Sequence, residues 1–338
     1  MTIIFAGEQV DVVIDYVNHE YVLDLIDIAS VYADDYPEQQ SVQIVNIASH
    51  GFLLDWGVNK CTWILFDQPI EQIDGFYDAY FRVLSRAKNM LGKPIISSKE
   101  RQFLVVDSRP IGDVFWRMTL SSDLIACWQA GLSYLFVVSD TPMQYRYYTV
   151  RQVRFDGGRQ LADVDVFLHG DGLGGRWAMD RRVGDVVKSK RDFPEELSQL
   201  TTGRVLFLVD ESSLSTLLAL LEHWANPVLP VVIVLWQGKI SELDDYVHQS
   251  AKADQSLWRQ CQKCVISIRY PLDEQTVQTI MTQVSDFLAT LFQDGTVIDR
   301  VWGATEINLV KKLRQLITQT LNLPKSHAVI KGYWRDES

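Results

Sequence analysis

The chain has 338 residues, of which 47% are hydrophobic and 22% are charged, so it is too apolar for wholesale disorder and long enough for two or three cores. Its formal net charge of −11 disfavours general binding to nucleic acids or to anionic membranes. Because the sequence has no long uncharged apolar run and does not begin like a signal peptide, we expect a cytoplasmic protein without a membrane span.

The N-terminal part of the sequence predicts a small α+β domain over residues 1–95. Residues 12–32 place apolar side chains at helical spacing, and residues 71–91 predict a second amphipathic helix. Between these helices, SVQIVNIASHGFLLDW and CTWILFD favour a pair of strands. This part also holds most of the negative charge, because residues 1–98 contain 14 acidic and 5 basic side chains.

Residues 99–195 predict an antiparallel β-barrel. Short runs rich in β-branched and aromatic residues follow one another and are separated by Gly, Pro or Asp, which is typical of small barrels. The runs are RQFLVVDSRP, DVFWRMTL, SYLFVVSD, YRYYTVRQVRF and DVDVFLHGD.

Residues 200–338 predict an α/β domain with a doubly wound parallel sheet. Five apolar runs, beginning with RVLFLVD and VLPVVIVLWQ, alternate with four helical segments. Near-continuous apolar strands are typical of parallel sheets because helices cover both faces. No GxGxxG follows the first of these runs, so the standard dinucleotide fingerprint is absent.

The four cysteines do not predict a metal site. Cys61 and Cys127 are isolated, while Cys261 and Cys264 form a CQKC pair that could be a redox pair or half of a metal site. Since a zinc site or an iron–sulfur cluster needs about four ligands, we favour the simpler interpretation that Cys264 enters a strand.

The run YRYYTVRQVRF, residues 145–155, carries arginine and tyrosine on both faces of one strand. A barrel followed by an α/β sheet is the layout of flavin-dependent reductases of the ferredoxin-reductase type, and RYYT fits their flavin motif R-x-Y-[ST]. In that motif the aromatic ring stacks on the isoalloxazine, the arginine forks onto the pyrophosphate, and a hydroxyl or a backbone N–H bonds near N5. The alternative is an exposed edge strand with solvated arginines.

Several further motifs follow in a fixed order: RYYTVR, DVDVFLHGDGLGGRWA, VGDVV, LVDESSLSTLLALLE, VWGATE and the terminal GYWR. Together they resemble the siderophore-interacting protein family, which contains FAD-dependent ferric-siderophore reductases. The resemblance covers roughly residues 99–335. It implies FAD as cofactor, a ferric siderophore as substrate, and NAD(P)H or a ferredoxin as electron donor.

The resemblance also implies which residues bind each ligand. The implied cofactor-binding residues are Arg146, Tyr147, Tyr148, Thr149, Val150, Arg151, His169, Gly170, Asp171, Gly174, Gly175, Trp177, Ala178, Asp210, Glu211, Ser212 and Trp334. Family members hold the anionic siderophore with basic residues, but the usual lysine early in the barrel is not evident here. The replacements that we expect are three basic residues in a loop after VGDVV, together with one near the chain end: Lys188, Lys190, Arg191 and Arg335.

The N-terminal domain resembles the small α+β domain that is appended to haem-utilisation and haem-degrading split-barrel proteins. This resemblance rests on NHEYVLDLIDIASVYADD, IVNIASHGFLLDW and the helix that ends in SRAKNMLG. It leaves two interpretations open for His19 and His50, which are haem ligands or ordinary capping and surface histidines.

The leading hypothesis from the sequence is therefore a flavoenzyme that reduces ferric siderophores. The flavin carries out the electron chemistry, so no residue of the chain need be an acid–base catalyst. One alternative is a haem-related flavin reductase or haem-handling protein. Another is a non-enzymatic interaction module, since the family's GPAS and ALPA segments are replaced here by LGGR and SLST.

Overall fold

The computed structural model describes residues 4–37, 40–58, 60–93, 100–121, 131–156, 159–169, 172–195, 197–250 and 256–335. The chain forms two compact units. The N-terminal unit comprises residues 1–97 and 324–329, and the second unit comprises residues 98–323 and 330–338. The three domain ranges drawn from the sequence remain a prediction. None of the described helices is both long and apolar enough to cross a bilayer.

The N-terminal unit combines three helices with a three-stranded antiparallel sheet of order β1-β2-β3. Its elements are α1 (Glu8–Glu20), α2 (Val22–Tyr32), β1 (Gln43–Ala48), β2 (Gly51–Gly57), β3 (Lys60–Leu65) and α3 (Phe76–Met90). The sequence predicted one helix over residues 12–32, but Tyr21 leaves helical geometry at φ −116° and ψ 32° and divides it in two. The long first strand run is likewise two strands, because residues 49 and 50 turn the chain into a hairpin.

The barrel of the second unit is closed by six antiparallel strands in the order β4-β5-β8-β7-β6-β9. The strands are β4 (Arg101–Ile111), β5 (Phe115–Ser121), β6 (Leu132–Asp140), β7 (Met143–Asp156), β8 (Arg159–Phe167) and β9 (Val186–Pro194), and the short helix α4 (Leu173–Met179) connects the last two. The inward side chains of the strands, which include Phe103, Met118 and Phe136, form one apolar core together with Trp177 of α4.

The sixth strand corrects the sequence interpretation. Lys188, Lys190 and Arg191 were expected in a loop, but they lie in β9. This strand pairs with β4 on one side and with β6 on the other, so it closes the barrel. The alternating buried residues Val187 and Ser189 show the two-residue period that basic neighbours hide in the sequence.

The rest of the second unit is a five-stranded sheet of order β12-β11-β10-β13-β14, with parallel pairing from β12 through β13. The strands are β10 (Val205–Val209), β11 (Val231–Trp236), β12 (Gln262–Ser267), β13 (Arg300–Glu306) and β14 (Ala328–Trp334). The helices are α5 (Glu211–Glu222), α6 (Ile240–Ser250), α7 (Ser256–Gln260), α8 (Glu274–Gln293) and α9 (Ile307–Leu321). The predicted fold class, an α+β region followed by a barrel and a sheet of the ferredoxin-reductase type, is confirmed.

Buried ion pairs fasten the barrel to the helices of the sheet. The guanidinium of Arg151 on β7 is fully buried and donates to both carboxylate oxygens of Glu222 on α5, at 2.9 and 2.7 Å. It also donates to the hydroxyl and the carbonyl of Ser250 on α6, both at 3.0 Å. Arg117 on β5 forms a second pair with Asp165, at 2.6 and 2.7 Å, and reaches the same serine hydroxyl at 3.1 Å.

The ion pair between Arg151 and Glu222 should stabilise the barrel–sheet unit only while both partners are present. Arg151→Met alone leaves a largely buried carboxylate without its partner, so we expect a loss of about 3–5 kcal/mol in the free energy of unfolding. Arg151→Met combined with Glu222→Met should recover most of that loss. Urea unfolding of the single and double variants measures both. The exposed pair Arg109–Asp107 is the control, because its removal should cost at most about 1 kcal/mol. Equal losses at the two pairs would contradict this account.

Candidate flavin site

Strand β7 presents its side chains to two different environments. Tyr148 and Val150 contribute to the barrel core, and Arg146 lies on the same face. Tyr147 and Thr149 lie on the opposite face, where Tyr147 is exposed and Thr149 is buried against α5. One strand therefore reaches both the barrel interior and the boundary with the sheet.

The first group of predicted residues to meet consists of Arg146, Tyr148, Gly174 and Trp177, called here the barrel cluster. The rings of Tyr148 and Trp177 are parallel within 3°, with their centroids 5.8 Å apart. A Cβ atom at Gly174 would lie 1.9 Å from the hydroxyl oxygen of Tyr148 and 3.9 Å from Cγ of Arg146. Only glycine at this position lets α4 approach the tyrosine so closely.

The hydroxyl of Thr149 belongs to a buried network that joins β6, β7 and α5. Its Oγ1 lies 2.8 Å from Oγ of Ser133 and accepts a hydrogen bond from Thr216 at 2.7 Å. Of the other motif residues on this strand, Arg151 is committed to Glu222 and Ser250. These two side chains therefore hold the barrel against the helices, which is a role that the motif alone did not reveal.

The second group to meet consists of His169, Asp210, Tyr270 and Trp334, called here the junction cluster. The indole of Trp334 lies 4.9 Å from the imidazole of His169, centroid to centroid, and its Nε1 donates to Asp210 at 2.9 Å. Tyr270 meets the same indole edge-on at 4.8 Å. Residues from four separate motifs or connections thus converge where the barrel meets the sheet.

The start of α4 links the two clusters. A Cβ atom at Gly172 would lie 3.1 Å from the imidazole of His169, two residues before the glycine that touches Tyr148. Gly175 and Ala178 are buried in the same helix. Gly170 and Asp171, which were also predicted to bind the cofactor, lie outside the described residues.

The start of α5 holds two buried acids. Asp210 caps this helix, because its carboxylate accepts hydrogen bonds from the backbone N–H groups of Ser212 and Ser213. Burial raises the pKa of Asp210 above its ordinary value. Burial, together with the negative charge of Asp210, raises the pKa of Glu211 to about 8, and its carboxylate accepts the backbone N–H of Gln237.

Three of the four basic residues predicted to bind substrate lie on β9, and the fourth follows the end of β14. Lys188 is exposed on β9, while Lys190 and Arg191 are half-buried and contact tyrosines of β7. Arg335 is exposed directly after Trp334 of the junction cluster.

The two candidate haem ligands, His19 and His50, contact neighbouring residues of the N-terminal unit. Nδ1 of His19 lies 2.7 Å from the backbone carbonyl of Asp15, and the ring lines a cleft of about 460 Å³. The ring of His50 lies 4.8 Å from that of Trp63. In the described part of the chain, no group of three His, Cys, Asp or Glu side chains is arranged to hold a metal ion.

Comparison with known proteins connects this geometry with a family. Residues 117–189, which contain most of the barrel and all of the barrel cluster, match the family model described as the siderophore-interacting FAD-binding domain. The expected resemblance to siderophore-interacting proteins is confirmed. No curated protein matches the chain.

Solved structures of siderophore-interacting proteins share this fold. The protein from Acinetobacter baumannii has a TM-score of 0.54 and 18% identity, covering 71% of this chain and 92% of that one. SipS from Aeromonas hydrophila has a TM-score of 0.52 and 17% identity, covering 71% and 93%. A siderophore utilization protein from T. fusca has a TM-score of 0.50 and 20% identity, covering 71% and 94%.

The side chains of the barrel fit FAD in their chemistry. Tyr148 and Trp334 supply aromatic surfaces for ring stacking, and Arg146 supplies a planar guanidinium that pairs with phosphate oxygens. The missing Cβ of Gly174 keeps the tyrosine seated against α4. These groups would hold and orient the cofactor rather than react with it.

Gly174→Ala should displace Tyr148, because the new methyl group would overlap its hydroxyl oxygen. We expect an altered near-ultraviolet circular dichroism spectrum and a loss of about 1–3 kcal/mol in the free energy of unfolding. Gly175→Ala is the matched control one residue along the same helix, where the nearest atom would lie at 3.4 Å. Similar spectra and stabilities for the two variants would show that α4 does not position the tyrosine.

Glu211→Gln should change the pH dependence of stability. The pKa of this carboxyl is about 8 in the folded chain against an ordinary 4.5, so the folded state holds the proton more tightly. The contribution of Glu211 is therefore fully present below about pH 4.5 and is lost as the pH rises towards 8. Between pH 5 and pH 8, the free energy of unfolding of the variant should rise by more than about 1.4 kcal/mol relative to that of the wild type. Urea unfolding at both pH values, with the exposed Glu274→Gln as control, tests this. A constant difference would refute it.

Proposed function

We propose that this protein is an FAD-dependent reductase of ferric siderophores, which releases the metal as Fe(II). The observation that carries the proposal is the barrel cluster. Arg146 and Tyr148 of an R-x-Y-T strand meet Gly174 and Trp177 of α4 within residues that match a siderophore-interacting FAD-binding domain.

The reaction asks little acid–base chemistry of the chain. When bound, FAD supplies the electron transfer, and the protein supplies position and environment. Tyr148 offers a ring for stacking, Trp177 supports that ring from behind, and Arg146 offers a fork for the pyrophosphate. Hard oxygen chelators hold ferric iron more tightly than ferrous iron, so a one-electron reduction loosens the complex.

The electrons come from NAD(P)H or from a ferredoxin. In open α/β sheets, ligands bind in the crevice at the carboxyl ends of the strands, which here lies between β10 and β13. The helices that begin there are capped by the chain's own carboxylates, since Asp210 caps α5 and Glu306 accepts from Asn308 and Leu309 at the start of α9. A dinucleotide's phosphates would therefore bind away from these two helix starts.

The anionic ferric chelate needs a local positive surface, because the chain as a whole carries −11. Lys188, Lys190, Arg191 and Arg335 are the candidates for that surface. A haem-handling role, the main alternative, predicts a haem spectrum in the purified protein instead of a flavin spectrum.

Arg146→Ala together with Tyr148→Ala should abolish flavin binding, because the double variant loses both the phosphate fork and the stacking ring. The fraction of protein that retains FAD after gel filtration, read from visible absorbance, should fall at least tenfold. Phe155→Ala with Arg159→Ala is the matched control, since it removes one exposed aromatic residue and one exposed arginine elsewhere on the barrel. Full retention of FAD by the first variant would rule out β7 as the flavin strand.

A further inference from the structure

The outer face of the barrel carries aromatic rings that are each paired with a cation. Nζ of Lys190 lies 5.6 Å from the ring centroid of Tyr145. Nε of Arg191 donates to the hydroxyl of Tyr147 at 2.9 Å. Tyr145, Tyr147, Lys190 and Arg191 are called here the cation–aromatic face. Tyr145 precedes the R-x-Y-T motif, and Tyr147, an implied cofactor-binding residue, fills the variable position of that motif.

The strand geometry explains why these four side chains share one face. Tyr145 and Tyr147 are two residues apart on β7, so they point to the same side. In the pairing of β6 with β9, Tyr134 lies opposite Asp192 while Phe136 lies opposite Ser189. The single β6 residue between Tyr134 and Phe136 therefore faces both Lys190 and Arg191. This β-bulge places two cations where regular pairing would place one residue.

A second cation–aromatic pair, Lys331 with Phe193, adjoins this face, but its contacts stabilise the fold. Nζ of Lys331 lies 5.0 Å from the ring of Phe193, which meets Tyr147 edge-on at 6.3 Å. The same ammonium forms a salt bridge of 2.8 Å with the buried Glu195. Lys331 and Phe193 therefore support the face from one side, while Tyr147, with 39% of its surface exposed, remains accessible to a ligand.

The cation–aromatic face adjoins the proposed flavin strand. Tyr147 lies between Arg146 and Tyr148 in the chain, and the next residue on its own face, Thr149, is buried against α5. A ligand on the exposed tyrosine would therefore lie beside the boundary between barrel and sheet.

We infer that this face selects aromatic, anionic ferric chelates, in which the iron is held by aryl oxygens, over non-aromatic chelates. The inference rests on the proposed function only for the reaction that follows binding. Binding of the chelate to this face does not depend on it. A ligand ring can stack on the tyrosines, while its anionic oxygens pair with the lysine and the arginine. A citrate chelate offers the charge without the ring, and an aliphatic hydroxamate chelate offers neither.

Aromatic residues interleaved with basic ones also occur in proteins that bind single-stranded nucleic acids. The net charge of −11 opposes a long polyanion, whereas a compact chelate needs only a local surface. A single-stranded oligonucleotide therefore belongs in the experiment as a competing ligand.

The direct test is calorimetric binding of redox-inert gallium(III) complexes to the full-length protein. The probes are the gallium complexes of 2,3-dihydroxybenzoate, citrate and acetohydroxamate, together with a short oligothymidylate. Because no electron is transferred, failure of the proposed reaction leaves this result readable. We expect the wild type to bind the dihydroxybenzoate complex at least tenfold more tightly than each of the other probes.

Two double variants separate ring from charge. The double variant Tyr145→Leu with Tyr147→Leu should lose the tenfold preference for the aryl complex. Its affinity for the citrate complex should be unchanged. Lys190→Gln with Arg191→Gln should weaken binding of both anionic complexes and reduce its dependence on salt. Phe155→Leu, an exposed aromatic residue elsewhere on β7, is the control and should behave like the wild type.

Three results would overturn the inference. They are equal affinity of the wild type for the aryl and citrate complexes, an unchanged aryl preference in the leucine double variant, and tighter binding of the oligothymidylate than of any chelate. Thermal unfolding of each variant confirms that it is folded, so that lost affinity reports on the face itself.

Discussion

The buried pair between Arg151 and Glu222 is the contact on which the second unit depends. A guanidinium with no exposed surface needs its carboxylate, so β7 and α5 cannot separate without stranding a charge. The same strand and helix also share the hydrogen bond between Thr149 and Thr216. These contacts hold the middle and the end of α5 against the strand that carries the flavin motif, and Asp210 caps the other end of the same helix.

Glycine and aromatic packing then shape the site on this rigid frame. Gly174 lets α4 press against Tyr148, whose ring is parallel to that of Trp177. The far end of the chain contributes Trp334, which bonds to Asp210. A site built from motifs that are separated in sequence is thus assembled by one strand, one short helix and the last strand. The proposed electron chemistry depends on this arrangement of residues more than on any reactive side chain.

Much of this arrangement could be predicted from the sequence. The alternation of apolar runs and helices specified the sheet, and the β-rich runs specified the barrel, because both patterns follow directly from burial. The family resemblance implied that His169, Asp210 and Trp334 all bind the cofactor, which requires them to lie close together. What could not be predicted was which side chains, distant in the sequence, pair with each other. The bond between Arg151 and Glu222 joins residues 71 apart in the chain, and no local sequence pattern indicates it.

The strand that carries Lys188, Lys190 and Arg191 was missed for a related reason. Its basic residues conceal the period of two, and only closure of the barrel between β4 and β6 makes it a strand. The bulge that follows from this pairing is what brings Lys190 and Arg191 to the tyrosines. The sequence therefore identified the charges, but not the surface they form.

The central claim is that the barrel binds FAD, and the visible absorption spectrum of the wild-type protein tests it most directly. The protein should be measured as purified, and again after incubation with FAD and removal of free cofactor by gel filtration. The account predicts a bound-flavin spectrum at close to one FAD per chain in at least the second sample. A folded protein that elutes colourless after incubation, or that carries haem instead, would contradict it.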